Sequence, residues 1–460
     1  MIIRCPRITF AGLGGDTGKT VISVGLCRAW QQQGIRVTPF KKGPDYIDMG
    51  WLNLAANHPC YNLDLFLMSK DQILSSFCLN TRHSDIALIE GNRGLYDGLD
   101  VEGSVSTAEV AKTLRCPVIL IIDCTKITRT VAALVLGCQK MDRDAPIKGV
   151  VLNRLASSRQ ETVIRESIER YCGIPVIGAI PRMKNITFPG RHLGLVPPHE
   201  HPLADEAINT ASETVMKYID FKQLWQIARD AQEFHIIHES YPEIVGKGVN
   251  IGVIRDSAFN FYYEENIESL KRSGARLIEF SALSDDLPDG IDALYIGGGF
   301  PETHAHALSS NERLRKSIRK AAYKYLPIYA ECGGLMYLCE KLIYKTKSYD
   351  MAGVLPLIIG VSERPQGHGY SILEVDVENP YFQKGLVLRG HEFHYSYVID
   401  IVEKKDVYFT FKVKRGNGII NKMDGICFRH VLATYTHLHA LGTKEWAVGI
   451  IKITSFKRTL

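Results

Sequence analysis

Ile8-Thr9-Phe10-Ala11-Gly12-Leu13-Gly14-Gly15-Asp16-Thr17-Gly18-Lys19-Thr20 is an apolar run that breaks into glycines and delivers a lysine and a threonine to a helix-like segment over 21–33. Glycines let successive backbone N–H groups close around phosphate oxygens, and the positive end of a helix adds to that attraction. In such a loop Lys19 neutralises the terminal phosphates and the Thr20 hydroxyl reaches Mg²⁺. The expected ATP-binding set is therefore Gly12, Gly14, Gly15, Asp16, Thr17, Gly18, Lys19 and Thr20. Five residues separate Gly12 from Gly18, one more than in the common pattern. The competing reading, a glycine-rich turn with a chance Gly-Lys-Thr, leaves the order strand, loop, helix unexplained.

Working outward, apolar runs recur at 86–89, 118–122, 150–152 and 176–180. They are continuous and not alternating, which suits strands buried on both faces of a parallel sheet. Helix-like segments such as 130–139 lie between them, and the alternation predicts a doubly wound α/β fold. A polar stretch over 230–248, with Pro242, Gly246 and Gly248, interrupts the series and reads as a linker. A second α/β series begins at 249–254 and continues at 276–280, 293–296 and 327–330. For 460 residues two domains are expected, here 1–229 and 249–460.

Two acidic stations complete the front half. One is Lys41-Lys42-Gly43-Pro44-Asp45-Tyr46-Ile47-Asp48, and the other Glu90-Gly91-Asn92-Arg93-Gly94-Leu95-Tyr96-Asp97-Gly98. Ligands of open α/β sheets gather at the carboxyl ends of strands, and phosphate-bound Mg²⁺ prefers carboxylate oxygens. Thr20, Asp48 and Glu90 are the metal candidates; Lys41, Asp45, Tyr46 and Asp97 are the candidates for holding substrate. Asp beside Gly or Pro is equally ordinary turn chemistry, a glutamate at a strand end can serve as a cap or surface pair, and Lys41-Lys42 has a second reading as a solvated pair. Asn153, before Arg154 at another strand end, either touches the nucleotide base or caps its loop.

The back half carries different chemistry. Gly297-Gly298-Gly299-Phe300-Pro301-Glu302 follows a strand, and its free N–H groups suit an oxyanion. Pro327-Ile328-Tyr329-Ala330-Glu331-Cys332-Gly333-Gly334 is a strand turning sharply into a helix at a cysteine, the pattern of a nucleophile elbow. The helix terminus is expected to lower the Cys332 pKa. Gly299 and Gly333 are the expected oxyanion donors. Late in the chain, Tyr435-Thr436-His437-Leu438-His439 offers two imidazoles to pair with the thiol. His437 is preferred, though spacing alone leaves His439 open.

Together these segments resemble the cobyrinic/cobyric acid amidase family, in which a dethiobiotin-synthetase-like domain precedes a class I glutaminase. The long phosphate loop, Gly43-Pro44-Asp45-Tyr46-Ile47-Asp48, Glu90-Gly91, Gly94-Leu95-Tyr96-Asp97-Gly98, Asp256-Ser257-Ala258-Phe259, Gly297–Glu302, Glu331-Cys332-Gly333-Gly334 and Arg389-Gly390-His391-Glu392-Phe393-His394-Tyr395-Ser396 carry the resemblance over nearly the whole chain. It implies amidation of the a and c acetate carboxylates of cobyrinate in cobalamin biosynthesis, using ATP, Mg²⁺ and glutamine, through an acyl phosphate. It implies Cys332 as nucleophile and His437 as its base. Many class I glutaminases carry a glutamate two residues after that histidine; here His439 stands there, so a dyad is expected. Sister activities on nickel sirohydrochlorin, hydrogenobyrinate or cobyric acid precursors share these motifs, and a P-loop ATPase with an inert glutaminase-like module is the rival from another class. Asn92-Arg93 is less typical of the family.

Composition excludes other classes. The apolar share of 45% and charged share of 23% are those of soluble globular proteins, and a net charge of +5 over this length is no basic stripe for nucleic acid. No apolar stretch is long enough to span a membrane. Eleven scattered cysteines, without CxxC pairs, read as reduced thiols, and the N-terminus enters a strand-like run without a signal-peptide core. A cytoplasmic enzyme is expected, with a homodimer left open.

Overall fold

The structure, a computed structural model, describes residues 2–183, 190–191, 194–235, 248–403 and 405–457. The chain divides into two compact units, residues 1–239 and 240–460. Of the linker expected over 230–248, residues 236–247 lie outside the described residues.

The first unit is built on a sheet of seven strands: β1 (Arg7–Gly12), β2 (Val37–Lys42), β3 (Tyr61–Leu63), β4 (Ile86–Gly94), β5 (Val118–Asp123), β6 (Ile147–Leu155) and β7 (Val176–Pro181). Their order is β3-β2-β4-β1-β5-β6-β7, and every pairing is parallel. The continuous apolar runs have the expected cause. Along β5, Ile119 and Ile121 enter one core while Val118, Leu120 and Ile122 enter a second core on the opposite face. The first core takes its helical side from α1 (Lys19–Gln32), α2 (Ile47–Ala56) and the helices Ala204–Tyr218 and Phe221–Arg229, the second from Thr130–Met141 and Ser158–Cys172. Gly25 permits the close approach of α1 to Ala204–Tyr218, since a Cβ there would lie 2.5 Å from the Ala211 carbonyl oxygen.

The chain passes from β4 to β5 across β1, so the loop after β1 sits where the strand order reverses, the usual ligand edge of such sheets. Register brings the other stations to the same edge: Lys41 lies opposite Glu90, and Gly12 opposite Gly94.

The second unit holds a ten-stranded mixed sheet. Its parallel part comprises β8 (Val249–Ile254), β9 (Ala275–Phe280), β10 (Ala293–Ile296), β11 (Ile328–Glu331) and, arriving late in the chain, Val431–Thr434, in the order β9-β8-β10-β11 and then that last strand. The sheet continues antiparallel through Met423–Phe428, Val407–Arg415, Gly367–Val375, Val387–His394 and His437–Leu438. A separate four-stranded sheet is formed by Lys347–Asp350, Lys341–Tyr344, Leu357–Val361 and Ser396–Ile401. None of the strands between 341 and 428 was among the sequence-based expectations, which followed continuous apolar runs. Among the described residues no helix is long and apolar enough to cross a membrane, and none of the eleven cysteines forms a disulfide.

Candidate active site

In the first unit the loop after β1 closes on itself. Gly18 adopts φ 95°, and a Cβ there would fall 2.3 Å from Asn153 Nδ2. Only glycine allows the Asn153 amide to reach over and donate to the Thr17 carbonyl oxygen at 2.9 Å. A Cβ at Gly12 would likewise meet Thr17 Oγ1 at 2.5 Å and Lys19 Nζ at 3.1 Å, whereas Gly14 and Gly15 face open space. Asp16, directly after Gly15, takes a left-handed φ of 53°. Lys19, at the start of α1, donates to the Gly14 carbonyl oxygen at 2.8 Å. Burial, with the neighbouring Lys41 charge, lowers its pKa.

Thr20 Oγ1 donates to Glu90 Oε1 at 2.7 Å. The same oxygen receives the Lys41 ammonium at 2.7 Å, and Lys41 also reaches Asp48 Oδ2 at 2.6 Å and Asp45 Oδ2 at 3.9 Å. Glu90 is fully buried and Lys41 nearly so. Burial alone would lower the Lys41 pKa, but Asp48, Glu90 and Asp45 together raise it well above the ordinary value. Burial pushes Glu90 up, against the pull of Lys41. Burial and Asp48 hold the Asp45 carboxyl at about 7.

Thr20, Lys41, Asp45, Asp48 and Glu90 thus converge. Tyr46 stands beside them as the residue preceding α2. Asp97 does not join them by contact: its Oδ2 accepts the Gly94 N–H at 2.7 Å, the turn role weighed for it above. For magnesium, the donor set fits. Glu90 Oε2 is buried without a hydrogen-bond partner, and a hydroxyl beside carboxylates is the hard oxygen set that Mg²⁺ shares with phosphate. Among the described residues no group of three or more His, Cys, Asp or Glu side chains forms a metal cage by itself.

In the second unit β11 ends at Glu331 and the chain turns into the helix Gly333–Leu338 through Cys332, whose φ of 47° and ψ of −100° are strained for any residue but glycine. The strain is held by three backbone hydrogen bonds, Cys332 N–H to Thr434 O at 2.7 Å, Met336 N–H to Cys332 O at 3.1 Å and Gly334 N–H to Gly297 O at 3.0 Å. The glycine run packs directly on this elbow: a Cβ on Gly333 would lie 3.0 Å from the Gly299 nitrogen. Gly299 itself, at φ 153°, leaves a Cβ only 2.1 Å from the Ala258 oxygen. The backbone nitrogens of Gly299 and the elbow are therefore neighbours. On the other side of the run, a Cβ at Gly298 would meet the His437 ring, 2.5 Å from Cε1 and 3.1 Å from Nε2.

His439 is directed elsewhere. Its Nε2 lies 3.6 Å from Glu265 Oε2, and its ring meets Tyr263 edge-on at 4.7 Å. The expected lowering of the Cys332 pKa is overturned. Burial pushes the thiol well up, Glu302 adds to this, and the Gly333 N–H opposes it without prevailing.

Sequence reasoning missed two buried carboxylates. Asp424 accepts from Thr434 Oγ1, the Tyr435 N–H, and both the N–H and Oγ1 of Thr436, fixing the segment that leads into His437. An Asp-Gly pair late in the chain reads as a simple turn, so no signal singled it out. Glu331 lies 3.6 Å from His437 Nδ1; it was visible only as the residue before the cysteine.

Comparison with known proteins agrees with this division. Residues 8–196 match the family described as CobQ/CobB/MinD/ParA nucleotide binding domain, and residues 250–445 the CobB/CobQ-like glutamine amidotransferase domain. A Magnetococcus marinus protein named cobyrinate a,c-diamide synthase is 41% identical over 453 residues, covering 97% of each chain. Proteins of the same name from Archaeoglobus fulgidus and Methanothermobacter thermautotrophicus are similar as well. The first is 42% identical over 450 residues, with 97% of each chain covered. The second is 39% identical over 451 residues, covering 97% of this chain and 99% of the relative.

Proposed function

The chain belongs to the cobyrinate a,c-diamide synthase family, and from that premise we propose that it converts the a and c acetate carboxylates of cobyrinate to amides, using ATP and glutamine. The observation that carries this is the Cys332 elbow, strained to φ 47° and packed on the same glycine run that His437 touches. It sits in one chain with a phosphate loop whose Thr20 reaches the carboxylate cluster.

In the glutaminase half, the Cys332 proton passes to His437 Nε2 as Sγ bonds to the side-chain amide carbon of glutamine and the carbonyl electron pair moves onto oxygen. The N–H groups of Gly299 and Gly333 stabilise that oxyanion. Collapse breaks the C–N bond, His437 returns the proton to the leaving nitrogen, and ammonia departs. Water then hydrolyses the thioester to glutamate and free thiol. The thiol is neutral at rest, because burial opposes the thiolate; proton transfer accompanies attack.

In the synthetase half, the backbone of Gly12–Gly18 and Lys19 bind the ATP phosphates, and Asn153 braces the loop from outside. A substrate carboxylate takes the γ-phosphoryl group and ADP leaves. Ammonia then attacks the acyl phosphate, phosphate departs, and the amide forms. Thr20, Asp48 and Glu90 would hold a phosphate-bound magnesium ion, which supplies charge compensation. Lys41, with Asp45 and Tyr46 next to it, orients the accepting carboxylate, and Asp97 fixes the turn that borders it.

The test uses purified enzyme with ATP, amide-¹⁵N glutamine and cobyrinate. Two mass units of labelled amide per product, lost in Cys332→Ala while added ammonium still gives the unlabelled diamide there, support the proposal. Label entering only nickel sirohydrochlorin or another tetrapyrrole would replace the substrate and keep the chemistry. ATP hydrolysis without glutamate release from the wild type would leave the second unit a binding module.

A further inference from the structure

We infer that Glu331 is the positioning residue for His437: a carboxylate at the end of β11, next to the nucleophile in sequence, that orients the imidazole and steadies its protonated form. This rests on the glutaminase reading above and extends it.

Glu331 is the last residue of β11, and its side chain reaches the His437–Leu438 strand. Its carboxylate is almost wholly buried, and each oxygen is tied. Oε1 accepts the Leu438 N–H at 3.2 Å, gripping the backbone directly after His437. Oε2 accepts the Tyr295 hydroxyl at 3.1 Å and lies 3.6 Å from His437 Nδ1. The remaining candidates for this place are committed elsewhere. Asp424 serves Thr434 and Thr436, Glu392 accepts the Gly418 N–H and approaches His394, and Glu265 faces His439. Among the described residues, the titratable groups placed against the ring include Glu331 from β11, with Tyr295 of β10 behind it, and His391, which stacks on His437 at 5.0 Å, beside the Cys332 thiol that the proposed reaction brings to Nε2. Burial holds His391 neutral, so it brings no positive charge against an imidazolium.

A separation of 3.6 Å is too long for a hydrogen bond, so at rest the interaction is one of charge. It still settles the tautomer. A proton on Nδ1 faces the carboxylate, so Nε2, the nitrogen beside Gly298, is the unprotonated one that accepts from sulfur. When Nε2 takes the thiol proton the ring becomes cationic and the pair tightens, as catalytic contacts that are loose at rest commonly do. Burial first, then Glu302, and to a lesser degree Glu331, disfavour a free thiolate, so the thiol proton leaves directly to the base that Glu331 stabilises.

Glu331→Gln keeps the shape and an acceptor for Leu438 but removes the charge. The expected result is a fall of about 10²-fold in kcat for glutamate release. The KM for glutamine should change by less than about threefold, because the contact is made to the base and not to substrate. The acid limb of kcat/KM should move to lower pH, since the imidazolium has lost its partner. A purely structural residue would not move that limb. Glu331→Asp restores charge at a shorter reach and should recover part of the rate and the limb. Ammonium-driven amidation, which bypasses Cys332, reports that each variant is folded. Should Glu331→Gln fail to fold, Tyr295→Phe carries the test: it strips one hydrogen bond from Oε2, keeps the charge, and should raise the limb. An unmoved limb in these variants, or Glu331→Asp no better than Glu331→Gln, would overturn the inference. Wild-type glutamate release, and its loss in Cys332→Ala, judges the underlying reading separately.

Discussion

Replacing Gly298 by alanine should silence the glutaminase while sparing the synthetase. Gly298 does not occupy left-handed backbone, so alanine adds no conformational strain there. The added methyl would instead stand 2.5 Å from His437 Cε1, 3.1 Å from Nε2 and 3.3 Å from the Phe261 Cβ. Non-bonded carbons rest at about 3.5–4.0 Å, so the imidazole must retreat by about 1 Å. It has little room, with His391 stacked on one face and Glu331 beside Nδ1. Displacement of a catalytic group by about 1 Å costs about 10²-fold in rate, which is about 2.7 kcal/mol of transition-state stabilisation. The assay is glutamate release from glutamine, run beside amidation driven by ammonium and ATP in the same preparation. The first should fall by about 10²-fold and the second should stay within about twofold. Glutamate release within threefold of wild type would refute the placement of His437 against the glycine run, and with it the description of the glutaminase centre.

Four further outcomes follow from the same geometry. His439→Gln should leave glutamate release within about threefold, because His439 faces Glu265, whereas His437→Gln should abolish it; steady-state kinetics of the two variants decide. Lys41→Met should lower stability by about 3–5 kcal/mol in urea titrations without nucleotide, since it leaves Glu90 and Asp48 without their buried cation. Magnesium with ATP should restore more of the loss than it adds to wild type. Gly18→Ala should displace Asn153 from Thr17 and abolish saturable ATP binding by calorimetry, because φ of 95° and a 2.3 Å contact both forbid the methyl. Finally, Asp45 has a raised folded pKa of about 7, so its contribution to stability is full below the unfolded carboxylate range and is lost as pH rises toward 7. Asp45→Asn should flatten the stability profile between about pH 4 and 7; parallel wild-type and variant curves would refute that assignment.

How far the sequence reaches differs between the halves for physical reasons. In the first unit every strand of the sheet centre is buried on both faces, and β1, β2 and the first part of β4 have no exposed residue to interrupt the pattern. Continuous apolar runs therefore disclosed β1 and β4, whereas β2, Val-Thr-Pro-Phe-Lys-Lys, is buried without being such a run. In the second unit the antiparallel strands Gly367–Val375 and Val407–Arg415 mix burial with exposure. Gly367–Val375 mixes buried Ser371, Leu373 and Val375 with less buried His368, Tyr370 and Glu374, so it offered no such run. The same contrast governs the sites. The phosphate loop and the elbow are local, each written in a few consecutive residues whose glycines and strained backbone serve one purpose. Asp424 and Glu331 act across strands, and strand pairing brings Glu331 beside Thr434, 103 positions later. No spacing rule in one sequence encodes a pairing of that kind.

That distance also explains why the two carboxylates lie where they do. A base such as His437, carried on a two-residue strand, has few backbone contacts of its own to hold it to within the fraction of an ångström that proton transfer requires. The fold supplies the missing rigidity from both sides of the chain. Asp424 binds the residues before His437, with four donors from 434–436 directed at one buried carboxylate. Glu331 binds the residue after it. A carboxylate without such donors would be expelled from the core or neutralised there, so the hydrogen bonds that keep each anion buried also fix the backbone around the histidine. Neither acid can be replaced by an apolar residue of similar size without loosening the base. Variants at Asp424 should consequently raise the local mobility of 434–438 before they alter the nucleophile elbow. Hydrogen exchange resolved to those residues distinguishes this from general unfolding, which would release β11 and the elbow at the same rate.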